Sequence, residues 1–77
     1  MREQLEFLAD SPHEWARERA LAALAIADAH ATGEVNDEEF MELMQDLVRT
    51  DQLDLAATDL ETKALLITAV LTVARVI

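Results

Sequence analysis

Residues 28 to 40 read DAHATGEVNDEEF. Gly33 is the chain's only glycine, and a glycine can close a helix by taking the left-handed conformation. Asn36 follows three residues later, a residue that caps helix starts. Glu39 stands three residues past Asn36, where its carboxylate can reach back to the cap amide. Val35 before the cap and Phe40 in the first turns make the hydrophobic staple that sets the angle of entry. Asp37, Glu38 and Glu39 put negative charge at the positive end of the helix dipole. The stretch therefore reads as a corner between two helices. Asp28 and Thr32 need no special role in it.

Upstream, a helix is expected over about 12–32. Ser11-Pro12-His13-Glu14 supplies a start signal, with Ser11 as cap, Pro12 in the first position and Glu14 reaching back. Ala20 to Ala27, ALAALAIA, is uncharged on every side, so contact on more than one face is expected. Its alanines let neighbouring backbones approach, while Trp15, Leu21, Leu24 and Ile26 bring bulk.

Downstream, a helix is expected over about 37–50. Phe40, Leu43, Met44, Leu47 and Val48 fall at i, i+3, i+4, i+7 and i+8. The opposite face holds Glu38, Glu39, Glu42, Gln45, Asp46 and Arg49. Residues 51–57, DQLDLAA, keep helical spacing and can form a short helix. Thr58-Asp59-Leu60-Glu61 is a third capping signature. It opens a helix expected over about 59–75. Leu60, Ala64, Ile67, Leu71 and Ala74 make one apolar stripe there; Leu66, Val70, Val73 and Ile77 make another. Near the start of the chain, Leu5, Phe7 and Leu8 fit a short docked helix or arm. The fold class is all-α: a small bundle of three main helices with that N-terminal piece.

At 77 residues the chain is expected to be one domain, 1–77. A chain this short buries only roughly 60–65% of its unfolded surface. Small domains gain stability from disulfides, metals or association, and there are no cysteines. A hydrophobic fraction of 52% argues against disorder. One Gly and one Pro leave little material for the turns of an all-β fold.

The net charge is −10, unevenly placed. Residues 34–61 carry ten acids against Arg49 alone. Such a surface repels phosphate, so direct nucleic-acid binding is not expected. It keeps a sticky chain soluble, and it can also attract a basic partner or imitate DNA. Glu38, Glu42, Asp46, Asp51 and Asp54 represent this acidic face. The N-terminal MREQLEFLAD lacks the apolar core of a secretory leader. The run from Ala64 to Ile77, broken only by Arg75, is 14 residues, short of the ~20 that span a bilayer. A membrane segment is not expected, and the expected location is cytoplasmic.

No catalytic set is legible. Ser11 is the only serine and is assigned to a cap. His13 and His30 lie 17 residues apart with no cysteine, poor spacing for zinc. A single glycine cannot build a phosphate loop. An enzyme, a cofactor and a metal are not expected. Met41 and Met44 read as core filling. The last helix carries more apolar surface than two partner helices would readily cover. Leu66, Val70, Val73 and Ile77 are therefore candidate interface residues, joined by Leu24 of the Ala-rich helix and by Trp15, which reads either as a core anchor of that helix or as an interface residue.

Two resemblances bear on function. Residues 28–39 resemble an EF-hand calcium loop, with Asp28 at position 1, Gly33 at position 6 and Glu39 at position 12. That resemblance implies Asp28, Thr32, Glu34 (through its backbone), Asn36 and Glu39 as ligands. It departs at His30, which stands at position 3 and is a poor ligand for a hard cation. No second loop of this kind follows. Residues 31–66 resemble small acidic helical proteins of tailed bacteriophages, through GEVNDEEF and DLETK. That resemblance implies a virion, assembly or host-takeover role, in the host cytoplasm or the virion.

The expected function is protein–protein interaction: a helical protein that self-associates or joins a larger assembly. An acidic inhibitor or DNA mimic acting on a host protein is the alternative. A weak single-loop calcium binder is the second alternative.

Overall fold

Four helices organise the residues described by the computed structural model, 2–49 and 59–75. They are α1 (Glu3–Leu8), α2 (Glu14–Ala31), α3 (Asp37–Leu47) and α4 (Leu60–Ala74). No strand occurs among the described residues. The short helix expected over 51–57 lies outside them. So do Thr58, read as the cap of the last helix, and Ile77.

The corner is built from its residues as the spacing predicts. Gly33 has φ +83°. The Glu34 amide donates to the Ala29 carbonyl at 2.8 Å, and the Gly33 amide to that of His30 at 3.1 Å. These are the two bonds of a Schellman closure, and they satisfy carbonyls that the end of α2 would orphan. On the far side, the Glu39 amide donates to Asn36 Oδ1 at 2.8 Å. The Asn36 amide donates to Glu39 Oε1 at 3.0 Å, completing a capping box. Phe40 is buried, and Val35 packs against the cluster it joins.

Three boundaries differ from the sequence reading. The start of α2 is Glu14, with extended His13 at the cap position. Ser11 closes α1 instead of opening α2. Its amide donates to the Leu8 carbonyl at 3.0 Å, so Glu14 has no free amide there to cap. Its hydroxyl accepts the His13 amide at 3.1 Å. At its other end, α3 stops at Leu47 rather than Thr50. Val48 and Arg49 donate to Gln45 and Asp46, a tightening to i→i+3 bonds that ends the helix. Finally, α4 is capped by Asp59, whose side chain accepts the Thr62 amide at 3.3 Å.

The core forms where α2 meets the other three helices. Its inner face is Ala16, Ala20, Ala23 and Ala27, all buried. Leu5 and Leu8 of α1, Phe40 and Met44 of α3, with Val48 just beyond it, and Leu66, Ala69, Val70, Val73 and Ala74 of α4 complete the buried set. Bulk on α2 is thus peripheral: Leu24 and Ile26 pack at the flanks, and Leu21 is 52% exposed. Phe7 does not dock with Leu5 and Leu8 either; it is 70% exposed. Residues i and i+3 share a helix face, and Phe7 falls off the face that Leu5 and Leu8 share.

Three substitutions, each read by urea unfolding, check this packing. Among the described residues, Gly33→Ala meets no neighbouring atom within 4 Å, so its cost is that of the left-handed backbone. Urea unfolding should show a loss of about 1 kcal/mol. Leu66→Ala should cost about 2–5 kcal/mol through loss of packing and a cavity. Leu60→Ala, at a surface site, should stay within about 0.5 kcal/mol.

Candidate interaction surfaces

The two apolar stripes of α4 have separate fates. Leu66, Val70 and Val73, expected at an interface, line the chain's own core. Helices α1, α2 and α3 all pack against α4, so these three have no surface left to present. Trp15 and Leu24 are half-buried against the same core. Trp15 places its indole Nε1 where no acceptor among the described residues meets it. An orphaned donor of that kind works against the packing its ring provides.

The other stripe of α4 is partly open. Leu60 is 78% exposed, and Ala64 is exposed as well. Ile67 and Leu71 are half-buried along the same line, and Leu65 borders the face on its other side. The remaining exposed positions are Glu61, Thr68, Thr72 and Arg75. Thr72 donates its hydroxyl to the Thr68 carbonyl at 2.6 Å. That bond satisfies the group within the helix, so the position can be covered without orphaning it. From Leu60 to Arg75 the charged residues are Glu61, Lys63 and Arg75, one acid against two bases. Elsewhere the balance is strongly acidic.

The acidic face of α3 is present in part among the described residues. Glu38, Glu42 and Asp46 are exposed at i, i+4 and i+8. Arg49 lies 3.9 Å from Asp46. Asp51 and Asp54 lie outside the described residues.

The stretch that resembles a calcium loop takes another shape. Asp28 and His30 sit inside α2, which continues to Ala31. On a helix, positions two apart face away from each other. Asp28 instead pairs with Arg2 at 2.5 Å, tying α1 to α2. His30 Nε2 lies 2.6 Å from Asp37 Oδ1, with its ring stacked on Phe40 at 4.4 Å. Thr32 donates its hydroxyl to the Ala29 carbonyl, Glu34 gives its amide to the helix closure, and Asn36 and Glu39 cap each other. Among the described residues, no group of three or more His, Cys, Asp or Glu is gathered closely enough to hold a metal ion.

A cleft of about 540 Å³ opens where the end of α1 and the turn into α2 meet α4. Phe7, Leu8, Pro12 and Leu65 give it apolar walls; Asp10, Ser11, His13 and Thr62 add polar groups. Ser11, His13 and Asp59 come near one another at this end, which spacing alone did not suggest. Their contacts are structural. The Ser11 oxygen takes the His13 main-chain amide, not its ring. The ring Nε2 stands 3.6 Å from Asp59. Asp59 is also held by the Thr62 hydroxyl.

Among the described residues, no helix is long and apolar enough to cross a membrane. No family model, no curated protein and no solved structure matches the chain.

The Asp59 cap makes a pH prediction. Hydrogen bonding from Thr62 is the largest cause holding its carboxyl below the ordinary aspartate range. A folded-state pKa below the unfolded one means stability that is present above about pH 4. It is lost as pH falls through the folded value. The stability gap between wild type and Asp59→Ala should therefore be fully open near neutrality and narrow in acid. Urea unfolding at a series of pH values measures it.

Proposed function

We propose that this chain is a small acidic interaction protein that works by covering the outer face of α4 with a protein partner. The observation that carries the reading is that face itself. It is a helix surface left open after the core is filled, with an apolar strip (Leu60, Ala64, Ile67, Leu71) beside Glu61, Thr68, Thr72 and Arg75, on a chain with a net charge of −10. An isolated exposed leucine needs no explanation, but Leu60 is continued along the helix by exposed Ala64 and half-buried Ile67 and Leu71, and a contiguous apolar strip of that kind can mark a contact surface. The acidic remainder favours selective contact, because like charge discourages random approach of other faces.

An accessory place in phage assembly or in a virion follows if the likeness to small acidic phage proteins reflects common descent. The exposed acids of α3 support a second reading, in which Glu38, Glu42 and Asp46 meet a basic surface on a host protein. Binding of that kind weakens steeply as salt is added.

Sedimentation equilibrium over a wide concentration range, with Ala64→Glu as control, tests whether the chain associates through α4. The apparent mass of the wild type should rise above 8.6 kDa with concentration, while the variant stays near it. A wild type that remains at 8.6 kDa throughout would remove self-association.

A further inference from the structure

We infer that the partner of the α4 outer face is a second copy of this chain, laid antiparallel across a two-fold axis near Thr68. This rests on the reading of α4 as a contact surface and adds its occupant and orientation. Seven residues separate Glu61 from Thr68, and seven separate Thr68 from Arg75. At about 1.5 Å of rise per residue, each charge lies roughly 10 Å from the centre, on opposite sides of it. All three residues are exposed. At 100° per residue, Glu61 and Arg75 each fall within about 20° of the Thr68 direction, so the three share one narrow face.

A two-fold axis turns this into self-complementarity. In the antiparallel pair, Glu61 of each copy meets Arg75 of the other, and Thr68 meets its own counterpart. A parallel pair would set Glu61 on Glu61 and Arg75 on Arg75. Pairing through the exposed side of α3 would set Glu38, Glu42 and Asp46 against the same acids. Of these arrangements, only the antiparallel α4 pair matches charge with opposite charge. Ala64 leaves room for Leu71 of the second copy to approach. The Thr72 hydroxyl is already bonded within its own helix, so covering it leaves no orphan.

A charge swap with a covalent probe tests the arrangement. Glu61→Arg and Arg75→Glu, each alone, should weaken dimerisation at least about tenfold by sedimentation equilibrium, whereas the double variant should recover to within about threefold of wild type. The double variant sets a base at the start of α4 and an acid at its end, both against the helix dipole. Recovery therefore cannot come from a sturdier helix, and circular dichroism of each variant verifies folding.

Thr68→Cys provides an arm independent of charge. Helices about 8–10 Å apart, less two Cα radii of about 2.3 Å, bring facing Cα atoms to roughly 3.4–5.4 Å. Part of that range suits a disulfide, which needs about 4.4–6.8 Å. The native chain has no cysteine to compete. Thr68→Cys should form a disulfide-linked dimer under mild oxidation, and Glu38→Cys on α3 should not. Association without charge rescue or Thr68→Cys linkage overturns the antiparallel arrangement and leaves the α4 reading standing. A wild type that never associates overturns the pair itself.

Discussion

Close approach across the alanine face of α2 is the constraint on which the rest of this bundle depends. Ala16, Ala20, Ala23 and Ala27 recur at helical spacing and are all buried. A methyl group extends little beyond the backbone, so the elements facing it can come close. That lets Leu5 and Leu8 of α1, Phe40 and Met44 of α3, and Leu66 and Val70 of α4 share one core. The large side chains of the core therefore come mainly from the surrounding helices. A larger residue on the alanine seam would force overpacking, which a tightly filled interior resists.

The corner at Gly33 turns that packing into a definite path. The closure of α2 and the capping box of α3 are separated only by Glu34 and Val35, so α3 leaves α2 through a short turn bonded at both ends. Side-chain ties reinforce it: His30 reaches Asp37 across the turn, and its ring stacks on Phe40. The resemblance to a calcium loop arises because both structures need a bend glycine and an acid near the next helix. What separates them is the persistence of α2 to Ala31. That helix turns Asp28 toward Arg2 instead of toward a shared centre.

The surface follows from what the core leaves over. With three helices against it, α4 buries Leu66, Ala69, Val70, Val73 and Ala74. Its opposite side keeps Leu60, Ala64 and part of Ile67 and Leu71 in contact with solvent. Phe7 is left outward in the same way, because it lies off the face of α1 that buries Leu5 and Leu8. Small bundles run out of interior before they run out of apolar side chains. The uncovered part is where association can add burial.

By itself the sequence determined the helical class, the corner and the acidic exterior. These depend on local chemistry: a left-handed glycine, reciprocal capping by Asn36 and Glu39, and periodicity within each helix. It also showed that α4 has two apolar stripes. Tertiary structure decided which stripe is inside, that alanines and not leucines form the inner face of α2, and that Ser11 closes α1. It also brought His13 to Asp59 across 46 positions of chain. The physical reason is that capping bonds reach a few residues, so local letters specify them. Which of two equally apolar faces is buried depends on where distant helices lie, and that is settled only when the bundle closes.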